Sequence, residues 1–324
     1  MLQYLIILLD DTSTSFCHYK NEKTTPHLIP LETLKQGILF GMKENLMIQY
    51  ILPDYELPVE YKEAMNSIDH HLIVPATCKD ANALGAADAV VFNSMQEICV
   101  EKLDPDTLYA LRTTKAELFA NKATITSVIG KVTKLSISIT DAEAFTDADF
   151  RVYEATLMEW AAEIERLYVE GKTPQLNLLT DRMMLQEMNN CGAGDANITL
   201  APDGNFYVCP AFYQADSRTI LGDTYTVGSL KEGLDIKNPQ LYKLGHAPLC
   251  RNCDAYHCRR CIWLNRKTTL EVNTPSHEQC VAAHIERKIS RELLANIRKH
   301  GTFMPETEIK EITYLDPFDV RKEW

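Results

Sequence analysis

The chain has no long apolar run. The longest, Leu5–Leu9, follows Tyr4 and is stopped by Asp10 and Asp11, far short of the roughly 20 residues that a membrane-spanning helix needs. No basic segment precedes it, so a secretory signal is not expected. Positive charge is also in deficit: 33 Lys and Arg against 45 Asp and Glu give a formal net charge of −12. That is the wrong sign for holding nucleic acid by its phosphates. Glycine and proline stay at 13 and 14 in 324 residues, with 45% hydrophobic and 24% charged residues, which excludes collagen-like, disordered and coiled-coil chains. Nucleotide and hydrolase signatures are missing. There is no G-x-x-x-x-G-K-[ST] loop, and Gly192 and Gly194 make a G-x-G with no third glycine opening a helix. Neither G-x-S-x-G nor H-E-x-x-H occurs. The expectation is a cytoplasmic globular protein with no membrane or nucleic-acid partner.

Residues 1–182 read as alternating strands and helices. LQYLIILL (2–9) suits a strand buried on both faces. Further strands are expected at 46–52, 71–76, 89–93, 107–112, 135–140 and 176–179, and helices at 31–45, 59–68, 115–130 and 150–170. In the last helix Tyr153, Leu157, Trp160, Ala161, Ile164 and Leu167 recur at three- and four-residue steps. Such alternation implies parallel crossovers: an α/β fold, either an open parallel sheet or a partial (β/α) barrel. Ligands in these folds sit beyond the C-terminal strand ends, where Asp10, Asp11, Asp54, Asn93, Arg112, Asp141 and Asp181 fall. Turns also favour short polar residues, and that alone accounts for most of them.

What the chain has in abundance is cysteine, and unevenly. Of ten, Cys17, Cys78 and Cys99 are scattered, while seven lie between Cys191 and Cys280. In a reducing compartment these are not structural disulfides. The run CRNCDAYHCRRC (250–261) is C-x2-C-x4-C-x2-C, and thiols packed so closely point to a metal. A four-residue spacer is tight for one zinc between two knuckles, whereas ferredoxin-like segments space thiolates this way. Upstream, Cys191 and Cys209 flank an expected hairpin whose arms are ITL and NFYV and whose turn is PDG (202–204). Downstream, Cys280 belongs to a final helix with Thr274 as N-cap, Pro275 at its first position, Gly301 past its end, and Val281, Ile285, Ile289 and Leu293 on one face. His246, His257, His277 and His284 can add nitrogen ligands or serve as ordinary packing residues. Tyr256 and Trp263 read as packing around the metal loop. Arg251, Arg259, Arg260, Arg266, Lys267 and, further on, Arg287, Lys288 and Arg291 make the region locally basic. They suit an anionic metal–thiolate unit, an acidic leader peptide, or a solvated face.

The order C-x12-G-x4-C (Cys191, Gly204, Cys209), a gap, C-x2-C-x4-C-x2-C, a gap, and Cys280 resembles the seven-cysteine SPASM pattern. That domain follows the core of many radical-SAM enzymes that modify ribosomal peptides. The spacers on either side of Cys258 are each one residue shorter than the commonest form. The chain as a whole resembles, more loosely, the CXXX repeat peptide maturases. The resemblance implies a radical-SAM-like barrel over 1–182, a SPASM-like metal-binding domain with its closing helix over 183–301, and a tail over 302–324. It implies one or two 4Fe–4S clusters. Cys250, Cys253, Cys258 and Cys280 would make one complete site. Cys191, Cys209 and Cys261 would make a second, one ligand short, which stays open or is completed by Asp181 or Asp195. It also implies a cysteine-containing precursor peptide as partner. The decisive departure follows the first strand, where radical-SAM enzymes carry C-x3-C-x2-C: here DDTSTSFCHYKN holds Cys17 alone. The expectation is therefore an accessory or maturation protein working with a separate radical-SAM enzyme and not itself cleaving S-adenosylmethionine. A zinc-stabilised peptide-binding module is the alternative.

Overall fold

The structure is a computed structural model and describes residues 2–14, 16–215, 224–301, 303 and 308–312. Most of the tail 302–324 therefore lies outside the described residues. The chain begins β1 (Tyr4–Leu8), α1 (Leu31–Lys43), β2 (Met47–Ile51), α2 (Val59–Met65), β3 (His70–Pro75), α3 (Ala81–Gly85) and β4 (Ala89–Phe92). It continues with β5 (Leu108–Thr113), α4 (Lys115–Ala120), α5 (Lys122–Ile129), β6 (Lys134–Ile139), α6 (Asp147–Val169) and β7 (Gln175–Leu176). After these come β8 (Asn197–Leu200), β9 (Phe206–Tyr207), α7 (Ala211–Gln214), β10 (Gly228–Ser229), β11 (Gly233–Leu234), α8 (Ile262–Thr269) and α9 (His277–His300). Strands alternating with helices and paired in parallel make this the expected α/β fold. Two compact units share the chain, residues 1–93 with 192–246 and residues 94–191 with 247–324. No helix among the described residues is long and apolar enough to cross a membrane.

In the first unit the strands follow the order β4-β3-β2-β1-β8-β9. β1 lies between two parallel partners, with Leu5 opposite Ile48 on one side and Ile198 on the other. That central position buries Leu5, Ile6, Ile7 and Leu8 and explains the unbroken apolar run. α1 lies close on the strands through two glycines. A Cβ on Gly37 would run into Leu200 Cδ2, and one on Gly41 would fall 2.8 Å from Ile48 Cδ1. The expected hairpin is present: β8 and β9 pair antiparallel, and Gly204 takes φ +79° in the turn.

In the second unit β5, β6 and β7 are parallel, and α6 packs along α9. The predicted face of α6 is fully inside, with Trp160, Tyr153, Leu157 and Ile164 all buried. So are Val281, Ile285, Ile289 and Leu293 of α9. Four local expectations need correction. The helix over 115–130 is two helices, because Asn121 leaves helical geometry at φ −117° and its side-chain amide donates to Glu117 O at 2.8 Å. LNLL joins the sheet only at its start: Leu176 pairs with Leu135, Asn177 N–H donates to Leu135 O (3.3 Å), and the Asn177 side chain then takes over, donating to Ile137 O (2.9 Å) and accepting from Ile137 N–H (2.8 Å). α9 is capped by Ser276, which accepts from Gln279 N–H at 3.2 Å, not by Thr274; Pro275 precedes the cap in the chain. α8 was not anticipated, and it starts on Cys261, whose sulfur accepts from Leu264 N–H at 3.5 Å.

α6 starts with a reciprocal cap between Thr146 and Asp149. The Asp149 carboxylate also accepts from Lys115 Nζ at 2.8 Å, which with the Thr146 bonds holds its pKa down at about 2. This stabilisation is present above the ordinary carboxylate pKa and is lost as pH falls from about 4 to 2. Asp149→Ala should therefore lower stability by about 1 kcal/mol at neutral pH, and the difference from the parent chain should shrink below about pH 4 and be lost only below about pH 2 in urea titrations.

Candidate metal centre

The cysteine loop is folded by short backbone turns. Cys250 N–H donates to Ala247 O (3.1 Å), Cys253 N–H to Cys250 O (3.0 Å), and Cys258 N–H to Ala255 O (2.9 Å). The segment before Cys191 lies alongside it, with Asn189 N–H on Tyr256 O at 2.7 Å and Cys191 N–H on Arg259 O at 3.0 Å. Arg260 is 1% exposed, adopts φ +42°, and donates from Nε to Asn190 Oδ1 at 2.9 Å.

Two sets of buried charges tie the spacer DAYH (254–257) to the rest of the unit. Asp254, 2% exposed, accepts from Arg287 of α9 at 2.7 Å and faces Arg182 at 3.5 Å. Arg182 Nε donates to the Asp254 carbonyl at 2.9 Å. Burial alone would raise the Asp254 carboxyl, but the Arg287 guanidinium, with Ile312 N–H and Arg182, holds it below the usual range. Three residues on, His257 Nε2 meets Glu286 of α9 at 2.9 Å, and Glu286 also accepts from Tyr153 OH of α6. The sequence reading missed Arg182, Asp254 and Glu286, and named Arg287 only as one of the cations near the cysteines, not as the partner of Asp254. The available signal was charge at 286 and 287 within an otherwise amphipathic helix.

Held this way, Cys250, Cys253 and Cys258 of the loop and Cys280 of α9 line one cavity of about 250 Å³. Among the described residues, no group of three or more His, Cys, Asp or Glu converges tightly enough for a single metal ion. The sulfurs surround a space instead. Arg260 and His284 also line it. Desolvation pushes the Cys250 thiol up to about 11, against the pull of Arg260, and the Cys258 thiol up to about 12. Both are neutral at pH 7 in the metal-free chain, so a bound metal must displace protons to make thiolates.

The other cysteines lie elsewhere. Cys261 caps α8 and does not line the cavity, and Cys191 donates its thiol to Arg260 O at 3.7 Å. Cys209 belongs to the first unit, just after β9, and so does Asp195, in the turn 192–196; Asp181 opens a short turn in the second unit. Of the histidines, His246 and His277 are exposed, His257 is the buried partner of Glu286, and His284 faces the thiols.

The strand ends of the first unit are taken up by the protein's own groups. Asp10 is fully buried and accepts from Thr12 N–H (2.8 Å) and Tyr55 OH (2.8 Å). Asp11 accepts from Tyr213 OH of α7 and pairs with Lys23 at 3.5 Å. Gln214 donates to Ser13 O at 2.9 Å and accepts from Tyr19 OH at 3.0 Å. Asn93 reaches Thr14 at 3.4 Å. Half-buried Cys17 sits in this loop. In the second unit Asp141 accepts from Lys115 N–H at 2.8 Å, and Arg112 is buried. Asp10, Asp11 and Asp141 thus fix backbone and loops, as turn residues do.

No protein-family model and no curated protein matches the chain. Solved structures of the protein anSMEcpe do share its fold. Native anSMEcpe with bound AdoMet and Cp18Cys peptide matches with a TM-score of 0.57 at 12% identity, covering 92% of this chain and 100% of that one. The form with AdoMet and Kp18Cys peptide gives 0.57 at 13% identity over 91% and 99%. The form with AdoMet alone gives 0.57 at 12% over the same shares.

Removing Asp254 would leave Arg182 and Arg287 buried without their carboxylate. Asp254→Ala should cost about 3–5 kcal/mol, read as a lowered denaturant midpoint for the second unit.

Proposed function

We propose that this chain is an iron–sulfur peptide-maturation protein, related to the SPASM proteins of radical-SAM systems and to the CXXX repeat peptide maturases. The cavity ringed by Cys250, Cys253, Cys258 and Cys280 holds its cluster. One observation carries this reading: four thiols line a single 250 Å³ space, and among the described residues no three ligands converge as a lone ion requires. A cluster several atoms across needs its thiolates held apart, whereas zinc needs them drawn to a point about 2.3 Å away. When bound, a 4Fe–4S cluster supplies one-electron transfer. The chain's own part is to close the loop through Asp254 and His257, to set the Arg260 cation against the anionic thiolates, and to keep water from Cys250.

The fold supports a peptide role, since the anSMEcpe structures that share it hold AdoMet and Cys-containing peptides. On this reading the partner is a ribosomally made, cysteine-containing peptide, the setting is the cytoplasm, and a separate radical-SAM enzyme supplies the radical chemistry. The loop after β1 supports that division of labour. It carries Cys17 alone and is closed by Asp11, Ser13, Tyr19 and Gln214. The functional division at 1–182, 183–301 and 302–324, and a second site using Cys191, Cys209 and Cys261, rest on the resemblance alone.

Anaerobically purified protein should contain iron and acid-labile sulfide in equal amounts, and Cys253→Ala should lose most of both. Stoichiometric zinc without sulfide would overturn the reading. With a strong reductant and S-adenosylmethionine, the isolated chain should form no 5′-deoxyadenosine above a protein-free control. Formation of that product would show that the catalytic function resides here after all.

A further inference from the structure

Cys280 and His284 lie one helical turn apart on α9, so their side chains share a face, and both line the thiol cavity. His284 is 6% exposed, and its Nε2 stands 3.5 Å from the sulfur of Cys253 on the opposing loop. The same sulfur accepts from Ala255 N–H at 3.4 Å. A metal-bound thiolate has no hydrogen to give, so a ring nitrogen facing it must carry the proton. Every hydrogen bond to a cluster thiolate draws electron density away from the iron and favours the more negative, reduced state.

Resting on the cluster reading above, we infer that His284 is a positioning and tuning residue. It donates from Nε2 to the Cys253 thiolate and sets the cluster's reduction potential without binding iron. Backbone and imidazole donors then converge on the one Cys253 sulfur.

The test uses the full chain, reconstituted anaerobically as parent, His284→Gln and His284→Phe, with potentials read by reductive titration and electron paramagnetic resonance. Iron and sulfide contents should be equal in all three. The Phe variant should shift to a more negative potential, while Gln, which keeps an N–H donor, should remain near the parent. Equal shifts in both variants, or none in either, would overturn the assignment. A second readout needs no substitution: protein labelled with nitrogen-15 at histidine should show only the weak hyperfine coupling of a hydrogen-bonded ring, and the strong coupling of an iron-bound nitrogen would overturn it. A parent protein without iron and sulfide defeats the cluster reading itself, an outcome distinct from all of these.

Discussion

The cavity depends on a carboxylate buried between two guanidiniums. Asp254 follows Cys253 directly, so fixing its side chain fixes the direction in which the loop leaves the second cysteine. Burying such a group costs more than the pairing returns unless the geometry is well satisfied. Here Arg287, Arg182 and Ile312 N–H all serve it. Apolar packing of similar volume would stabilise the unit as well or better, but it would not specify one register for the loop on α9. His257 and Glu286 repeat the device three residues on. Two polar anchors on a four-residue spacer leave the flanking thiols little freedom.

That rigidity matters because the thiols are poor ligands until they ionise. Cys250 and Cys258 are held neutral by burial, in surroundings that also contain the Arg260 cation. The Cys250 and Cys258 thiols thus carry no charge in the metal-free chain, beside a cation that would offset the thiolates a metal creates. Binding and deprotonation are one event.

Periodicity made much of the fold legible. An unbroken apolar run announced β1 because parallel strands are buried on both faces, and three- and four-residue steps announced α6 and the packed face of α9. Legibility failed where a side chain substitutes for backbone: Asn121 breaks a helix and Asn177 extends a strand by hydrogen bonds that hydropathy does not encode. It failed again at α8, whose cap is a cysteine and whose last turn is polar. At the candidate site the spacing of the cysteines drew attention to the right loop. The partners that shape the loop, Arg182 and Arg287, lie 72 and 33 residues from Asp254, and only the fold brings them together.

The contributions of α9 cluster near its start. Cys280, His284, Glu286 and Arg287 lie within eight residues and supply the fourth thiol, the donor to Cys253 and both partners of the spacer. Arg182 and the segment 189–191 precede the loop in the chain, but α9 follows it, so during synthesis Cys250, Cys253 and Cys258 emerge before Cys280, Glu286 and Arg287 exist to complete their surroundings. On the cluster reading, loading waits for the docking of one helix, and until then the three leading thiols lack the α9 partners that hold their loop.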